Sequence, residues 1–419
     1  MGLLALIIFQ FTYKVMRHIL GCGAFFLNGF AEGFVIWPYC VVILFGRLGL
    51  LFQFDEDSKF LLYFCKMVDY LIVGLGLAGI SFGEVLERNK KSFKVISDES
   101  QTSSVVAGGL YNPVTLKRFT MAWNAKEQLD LAIPFYSELE SKLNIQLDYK
   151  IPILRRFASI NEQNLWFEAS DKPNLSRFMG PKLLPNDNPH IDAPFGYGEV
   201  LHTGRIDTSV LVSQYKRYLA EHNLILRESF DFEALKQQGG FVEYRGLKAK
   251  NIVFATGYGL KNNPYFNYLP LNGTKGELLT IKSPSLKEER VIKSSVFIIP
   301  LGEDLYRVGA TYKWKDKSNT PTEECKQELL QKLDTFLKCP YEVVDHVAGI
   351  RPTVSDRKPL VGRHPEHENM YLLNGLGSRG VMIAPMASMQ LYALIEKKEA
   401  LVPAMDLSRF TKKHFRNLS

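Results

Sequence analysis

Tyr70-Leu71-Ile72-Val73-Gly74-Leu75-Gly76-Leu77-Ala78-Gly79 is the stretch on which the reading of this chain turns. Tyr70–Val73 is a short apolar run without polar alternation, the pattern of a strand covered on both faces. A helix is expected from about Ala78 to Asn89, with Ile80, Val85 and Leu86 toward the sheet. A second strand, Phe93–Ile96, follows the charged turn Asn89-Lys90-Lys91. In that setting Gly74 permits a tight turn, Gly76 lets the backbone approach a pyrophosphate, and Gly79 lets the helix pack against the strand. The pyrophosphate then rests on the free N–H groups at the helix start. GxGxxG alone is a weak signal; between two such strands it is a specific one.

An acidic residue at the end of the second strand is expected to hold the ribose hydroxyls. Strict counting lands on Ser97, with Asp98 and Glu99 next; Asp98 is chosen, one extra turn residue accounting for the shift, against a merely solvated strand end. Far downstream, Asn251-Ile252-Val253-Phe254-Ala255-Thr256-Gly257 reads as a buried strand ending in small residues. Thr256 and Gly257 would let the chain pass close beneath a dinucleotide, and the pairing of the two segments points to FAD rather than NAD.

The bulk numbers set the frame. A chain of 419 residues suggests two domains beyond its N-terminal stretch, and 46% hydrophobic with 23% charged residues is ordinary for a folded protein. A net charge of +7 permits an anionic partner such as RNA without arguing for one. Five cysteines show no CxxC pair, and only Cys325 and Cys339 lie beyond residue 66, which fits a reducing, cytoplasmic setting. HExxH, GxSxG and Walker A sequences are missing, and the eight histidines lack metal-ligand spacing, so no metal is expected.

Residues 1–66 differ in composition, with nine charged side chains among Leu, Phe, Ile and Gly. The uncharged run Gly33–Gly46 is 14 residues, short of the roughly 18–20 that cross a bilayer; admitting Arg47 extends the apolar stretch to about Phe54, so one imperfect spanning helix is conceivable. Two readings stand: Met67 as the natural start with the upstream stretch an extension, or a genuine membrane-associated segment.

The remaining motifs resemble the D-amino-acid oxidase superfamily, in particular its glycine oxidase and sarcosine oxidase branch. Val106-Ala107-Gly108-Gly109-Leu110 looks like that branch's small-residue turn beside the flavin. Lys275-Gly276-Glu277, Phe297-Ile298-Ile299-Pro300 and Gly309-Ala310-Thr311 look like strands of its substrate domain. The C-terminal run is the most specific: Ala348-Gly349-Ile350-Arg351-Pro352, then Gly362-Arg363-His364-Pro365, then Gly375-Leu376-Gly377-Ser378-Arg379-Gly380. Order and spacing agree from about residue 69 to 395. Gly377–Gly380 and Gly109-Leu110-Tyr111-Asn112-Pro113 also resemble the oxidase domain of the bifunctional bacterial enzyme that modifies the tRNA wobble uridine.

The resemblance implies an α/β Rossmann-like FAD-binding domain with an interleaved, mostly antiparallel α+β substrate domain. The FAD part is expected over 67–124, 201–262 and 345–402, the substrate part over 125–200 and 263–344, and a basic tail over 403–419. It implies non-covalent FAD held by Gly74, Gly76, Gly79, Asp98, Ala107, Gly108, Gly109, Thr256, Gly257, Gly377, Ser378, Arg379 and Gly380. Arg351 matches the family's carboxylate-binding arginine, the planar charged group that a carboxylate needs. Arg379 stands one residue after the family's second substrate arginine, whose place Ser378 takes. Phe297 replaces a substrate tyrosine and Tyr312 a methionine, which puts glycine itself in doubt as substrate.

The expected activity is oxidation of the C–N bond of a small amine-bearing carboxylate, with oxygen or another acceptor reoxidising the flavin. The alternatives are a tRNA wobble-uridine oxidase, a membrane-associated dehydrogenase passing electrons to quinone, and a flavin-binding protein without turnover. The tail Lys412-Lys413-His414-Phe415-Arg416 reads as a solvated helix end rather than an RNA or lipid contact.

Overall fold

A computed structural model describes residues 67–415 and, upstream, the strands Phe34–Trp37, Cys40–Phe45, Leu48–Phe54 and Phe60–Phe64. These four, in the compact unit formed by Met1–Met67 and Glu243–Lys248, pair antiparallel in chain order, with Phe34 opposite Ile43, Cys40 opposite Gln53 and Leu50 opposite Phe64. The expectation of a spanning helix within Gly33–Phe54 is therefore corrected: three strands carry that stretch, as an apolar run without helical periodicity allows. Among the described residues no helix is long and apolar enough to cross a membrane.

The second unit, Val68–Val242 with Ala249–Ser419, holds two large sheets and two small ones, of three and two strands. In the first, Val68–Val73 lies parallel to Phe93–Ile96 on one side and Leu247–Phe254 on the other. Ile225–Leu226 extends it beyond Phe93–Ile96, and Met370–Asn374 joins Leu247–Phe254 in parallel, with Leu360–Arg363 antiparallel at the far side. Tyr70, Leu71 and Ile72 are fully buried, as a strand sandwiched between helices must be. The helix after the glycine turn runs Leu77–Arg88, one residue earlier than expected, and buries Ile80, Val85 and Leu86.

Helix Gly380–Tyr392 packs beside it and contains Pro385. A proline within a helix leaves the carbonyl four residues earlier without its amide partner. That carbonyl is Val381 O, and the buried Tyr136 hydroxyl donates to it at 3.0 Å from helix Ala125–Leu143. One side chain thus repairs the ladder and ties two helices together.

The second sheet runs Tyr197–Val200, Ile153–Arg156, Val291–Lys293, Phe297–Gly302, Leu305–Gly309, Thr274–Lys282, Glu342–Arg351. It is antiparallel apart from the pairing of Ile153–Arg156 with Val291–Lys293, which fits the interleaved, mostly antiparallel layer expected. Thr274–Ile281 is buried throughout, with helix Glu323–Asp334 on its outer face.

The C-terminal tail forms helix Ser408–His414. Arg409 pairs with Asp356 at 2.8 Å, and the His414 ring stacks on Tyr268 with centroids 4.5 Å apart. The solvated end expected there is partly docked; Arg416 lies outside the described residues.

Candidate active site

A cleft of ≈ 960 Å³ opens at the carboxyl ends of the parallel strands and continues across the second sheet. Open parallel sheets place their ligands there. The glycine turn forms one wall. Gly74 has φ +104°, and a Cβ on it would lie 2.5 Å from Ala255 O; one on Gly79 would collide with Gly74 O. Both positions admit glycine alone, as the turn required.

Ser104, unmarked by any motif, accepts the Leu77 N–H at 3.1 Å and so occupies one amide of the helix start. A four-residue helix, Ser103–Val106, brings it there from 27 residues away.

Asp98 lies on the rim. Its carboxylate accepts Ser229 Oγ at 2.8 Å and Ser100 N–H at 3.0 Å. Partial burial works to raise its pKa, but the Ser100 and Ser229 hydrogen bonds outweigh it and hold the carboxyl below its ordinary range. Glu99 turns to Lys216, and Ser97 ends the strand through Ser97 N–H to Leu226 O. Thr256 and Gly257 close the floor, and Thr256 Oγ1 is buried without any hydrogen-bond partner among the described residues. An orphaned hydroxyl in a cleft is costly unless a ligand satisfies it.

Ala107, Gly108 and Gly109 carry the chain over the second sheet: a Cβ on Gly108 would lie 2.9 Å from Ile299 Cδ1 and 3.5 Å from Phe297 Cζ. Gly377, Ser378, Arg379 and Gly380 face them, with Gly377 at φ +58° and open space where a side chain would stand. Glycine-lined room of this length, with an amide-rich helix start at one end and an unpaired hydroxyl in its floor, fits an extended dinucleotide.

At the far end Arg351 closes strand Glu342–Arg351. Its guanidinium lies flat on Gly276, where any Cβ would overlap it, and donates from Nη1 to Thr311 O at 3.2 Å. The Tyr312 ring sits 4.4 Å beneath Cζ, a cation–π shelf. Tyr312 itself is 59% exposed, and its ring serves as the shelf for Arg351. Burial pushes the Arg351 pKa down, with Tyr312 opposing. Among the described residues no carboxylate pairs with it. Arg379 donates to Thr115 Oγ1 at 2.8 Å and likewise lacks an acidic partner.

Lys293 is a site residue that sequence reading missed. Its ammonium stands 5.0 Å from the Phe297 ring inside the same cleft. Burial above all, then the charges of Arg155, Arg351 and Lys332, pushes its pKa down to about 8. Nothing local marks it; the sheet order brings it there.

Behind Gly276 the strand is anchored. Lys275, wholly buried, bonds to Glu277 at 3.1 Å and to Asp316 at 2.6 Å, while Glu277 accepts Thr322 N–H at 2.8 Å. Burial opposes both charges, but the Asp316 and Glu277 contacts keep the Lys275 pKa raised, and the Thr322 and Lys275 contacts keep Glu277 lowered.

The histidines were expected to hold no metal cluster, yet His364, Glu366 and His367 gather their ligand atoms within 4.8 Å. Both His364 nitrogens are engaged, Nε2 with Tyr265 O at 3.0 Å and Nδ1 with Glu366 N–H at 3.1 Å.

Comparison with known proteins agrees with this geometry. The chain is 29% identical to the glycine oxidase of Bacillus subtilis (strain 168) over 254 residues, 55% of this chain and 65% of that protein. It is 24% identical over 202 residues to the tRNA 5-methylaminomethyl-2-thiouridine biosynthesis bifunctional protein MnmC of Legionella pneumophila (strain Corby), 40% of this chain and 30% of that one. The matched region thus spans under two thirds of each relative. Among solved structures, glycine oxidase from Geobacillus kaustophilus shares the fold with a TM-score of 0.68 at 19% identity, covering 82% of this chain and 98% of that one. Iminodiacetate oxidase from Chelativorans sp. BNC1 does so with a TM-score of 0.66 at 19% identity, covering 81% and 98%. Residues 69–394 match the family described as FAD dependent oxidoreductase, and the chain belongs to that family.

Proposed function

We propose that this protein oxidises the carbon–nitrogen bond of a small amine-bearing carboxylate. The observation that carries the reading is Arg351: a largely buried guanidinium, fitted to Gly276 and stacked on Tyr312, with no carboxylate of its own. An unpaired buried cation is unfavourable unless a ligand supplies the anion, and a planar guanidinium fits a carboxylate in particular. FAD supplies the two-electron acceptor. The protein's part is to bind and orient: Arg351 fixes the carboxylate end, Phe297 and Leu278 form an apolar floor, and Ala107–Gly109 with Gly377–Gly380 line the flavin side. We assign the parallel layer to the cofactor and the second sheet to the substrate, with Asp98 toward the ribose. The similarity to glycine oxidase is in keeping with this reaction class.

The test is anaerobic bleaching of the bound flavin by glycine, sarcosine, D-amino acids, proline and carboxymethylaminomethyl-uridine. Bleaching by at least one carboxylate-bearing amine, lost on Arg351→Ala, is expected; failure of the whole panel would sink the reading.

One observation favours a second reading. Tyr312 and Trp314 are 59% and 50% exposed, two residues apart and beside Lys315, a surface on which a nucleobase stacks. A tRNA wobble-uridine substrate would show as tRNA retention at low salt that disappears as salt rises.

A further inference from the structure

We propose that the cleft takes a dianionic amine, one carboxylate on Arg351 and a second on Lys293, so that the substrate class is the amino dicarboxylates. This rests on the reading of Arg351 as a carboxylate anchor.

The register places the two cations. Lys293 pairs with Phe297, Phe297 with Gly309, and Gly309 with Leu278, so the four stand side by side across four neighbouring strands. They share one face: a Cβ on Gly309 would touch Phe297 Cζ and Leu278 at 3.0 Å, and Phe297 in turn faces Gly108 across the cleft. Gly276, two residues before Leu278, shares that face by the pleat and carries the Arg351 guanidinium. Three strand spacings of ~4.8 Å put the backbones of Lys293 and Leu278 ~14 Å apart. Lys293 leans back over Phe297, shortening the gap, and Arg351 closes it from the other side.

Charge accounting separates these two cations from Arg155 and Lys332. Arg155 is paired with Glu162 at 2.6 Å and Lys332 with Glu328 at 2.6 Å. Lys293 and Arg351 have no such partner among the described residues. The acids that line the cleft, Asp98, Glu99 and Glu228, all belong to the rim near Ser229 and Lys216, at the end of Phe93–Ile96. The Phe297 floor therefore ends in a positive group on each side with no negative group between them. A zwitterionic monocarboxylate neutralises one of these; a second carboxylate neutralises both, which is the arrangement that lowers the cost of burying two like charges. The depressed Lys293 pKa is the free protein's record of that cost.

The experiment uses the FAD-loaded protein and two redox-inert ligands, thiodiacetate (dianion) and methylthioacetate (monoanion), followed by the change in visible absorbance of the bound flavin. The expected dianion preference is about 10–100-fold, falling to within about threefold in Lys293→Met and staying above about tenfold in Lys293→Arg. Equal binding of the two ligands to the wild type would overturn the assignment. So would a preference that survives Lys293→Met, including a variant altered only in its reoxidation by oxygen. If thiodiacetate keeps its preference while no amine bleaches the flavin, the oxidase reading falls and the Lys293 assignment stands.

Discussion

Gly276→Ala isolates the geometry of the proposed carboxylate anchor. The strand backbone at 276 accepts alanine, since its φ lies outside the left-handed region, and the three atoms nearest the new methyl all belong to the end of the Arg351 side chain. The atoms that must give way are Cζ, Nη1 and Nη2, the far end of a flexible arm, so the fold loses little and the guanidinium loses its seat. Removing one partner of a buried charge pair outright costs about 2–5 kcal/mol. Displacement by one methyl should forfeit part of that, about 1–3 kcal/mol, or a roughly 5–150-fold rise in the dissociation constant of a carboxylate ligand. Flavin-perturbation titrations with methylthioacetate measure it directly, alongside the urea midpoint, which should move little. A double-mutant cycle completes the argument: in the Arg351→Ala background Gly276→Ala should add almost nothing, because its whole effect passes through that guanidinium. Unchanged carboxylate affinity in Gly276→Ala, or additive losses in the cycle, would refute the reasoning.

Thr256→Val removes the orphaned floor hydroxyl; FAD affinity measured by fluorescence quenching should fall about 5–10-fold, near 1 kcal/mol, while the apoprotein keeps its stability. Tyr136→Phe strands the Val381 carbonyl beside Pro385 and should destabilise by about 1–3 kcal/mol in urea melts, with much of the loss recovered in Tyr136→Phe/Pro385→Ala. Burial, with the neighbouring His367 charge, lowers His364 from 6.5 to about 4, so the unfolded chain binds its proton first. Stability from this group is complete above pH 6.5 and is lost, by up to ~3 kcal/mol, as pH falls toward 4; His364→Asn should flatten that limb of a Tm-against-pH profile.

What the sequence made legible was local. Tyr70–Ile96 reads correctly because each signal is carried by its own residues: an apolar strand buried on both faces, glycines that only a tight turn explains, a helix marked by Ile80, Val85 and Leu86. Arg351 and the small-residue turns came through resemblance, and their place in one cleft is a matter of topology. Lys293 was invisible because its meaning depends on Val291–Lys293 lying between Ile153–Arg156 and Phe297–Gly302, the first of which pairs with it across more than a hundred residues. Ser104 escaped because a serine in a loop carries no mark until a short helix brings it against Leu77. Gly33–Phe54 was ambiguous by nature, since an apolar run without period suits helix and strand alike.

Lys275-Gly276-Glu277 also bears on how this site could change over time. Because successive residues of a strand face opposite ways, the charged pair holds the outer side while glycine leaves the inner side bare. Anchorage and clearance are thus written in separate letters of one word. Positions 276, 278 and 309 can exchange side chains and reshape the floor while Lys275, Glu277 and Asp316 keep the strand where it is. A scaffold divided in this way can pass from one amine to another by single substitutions, each paid for in specificity and not in foldability.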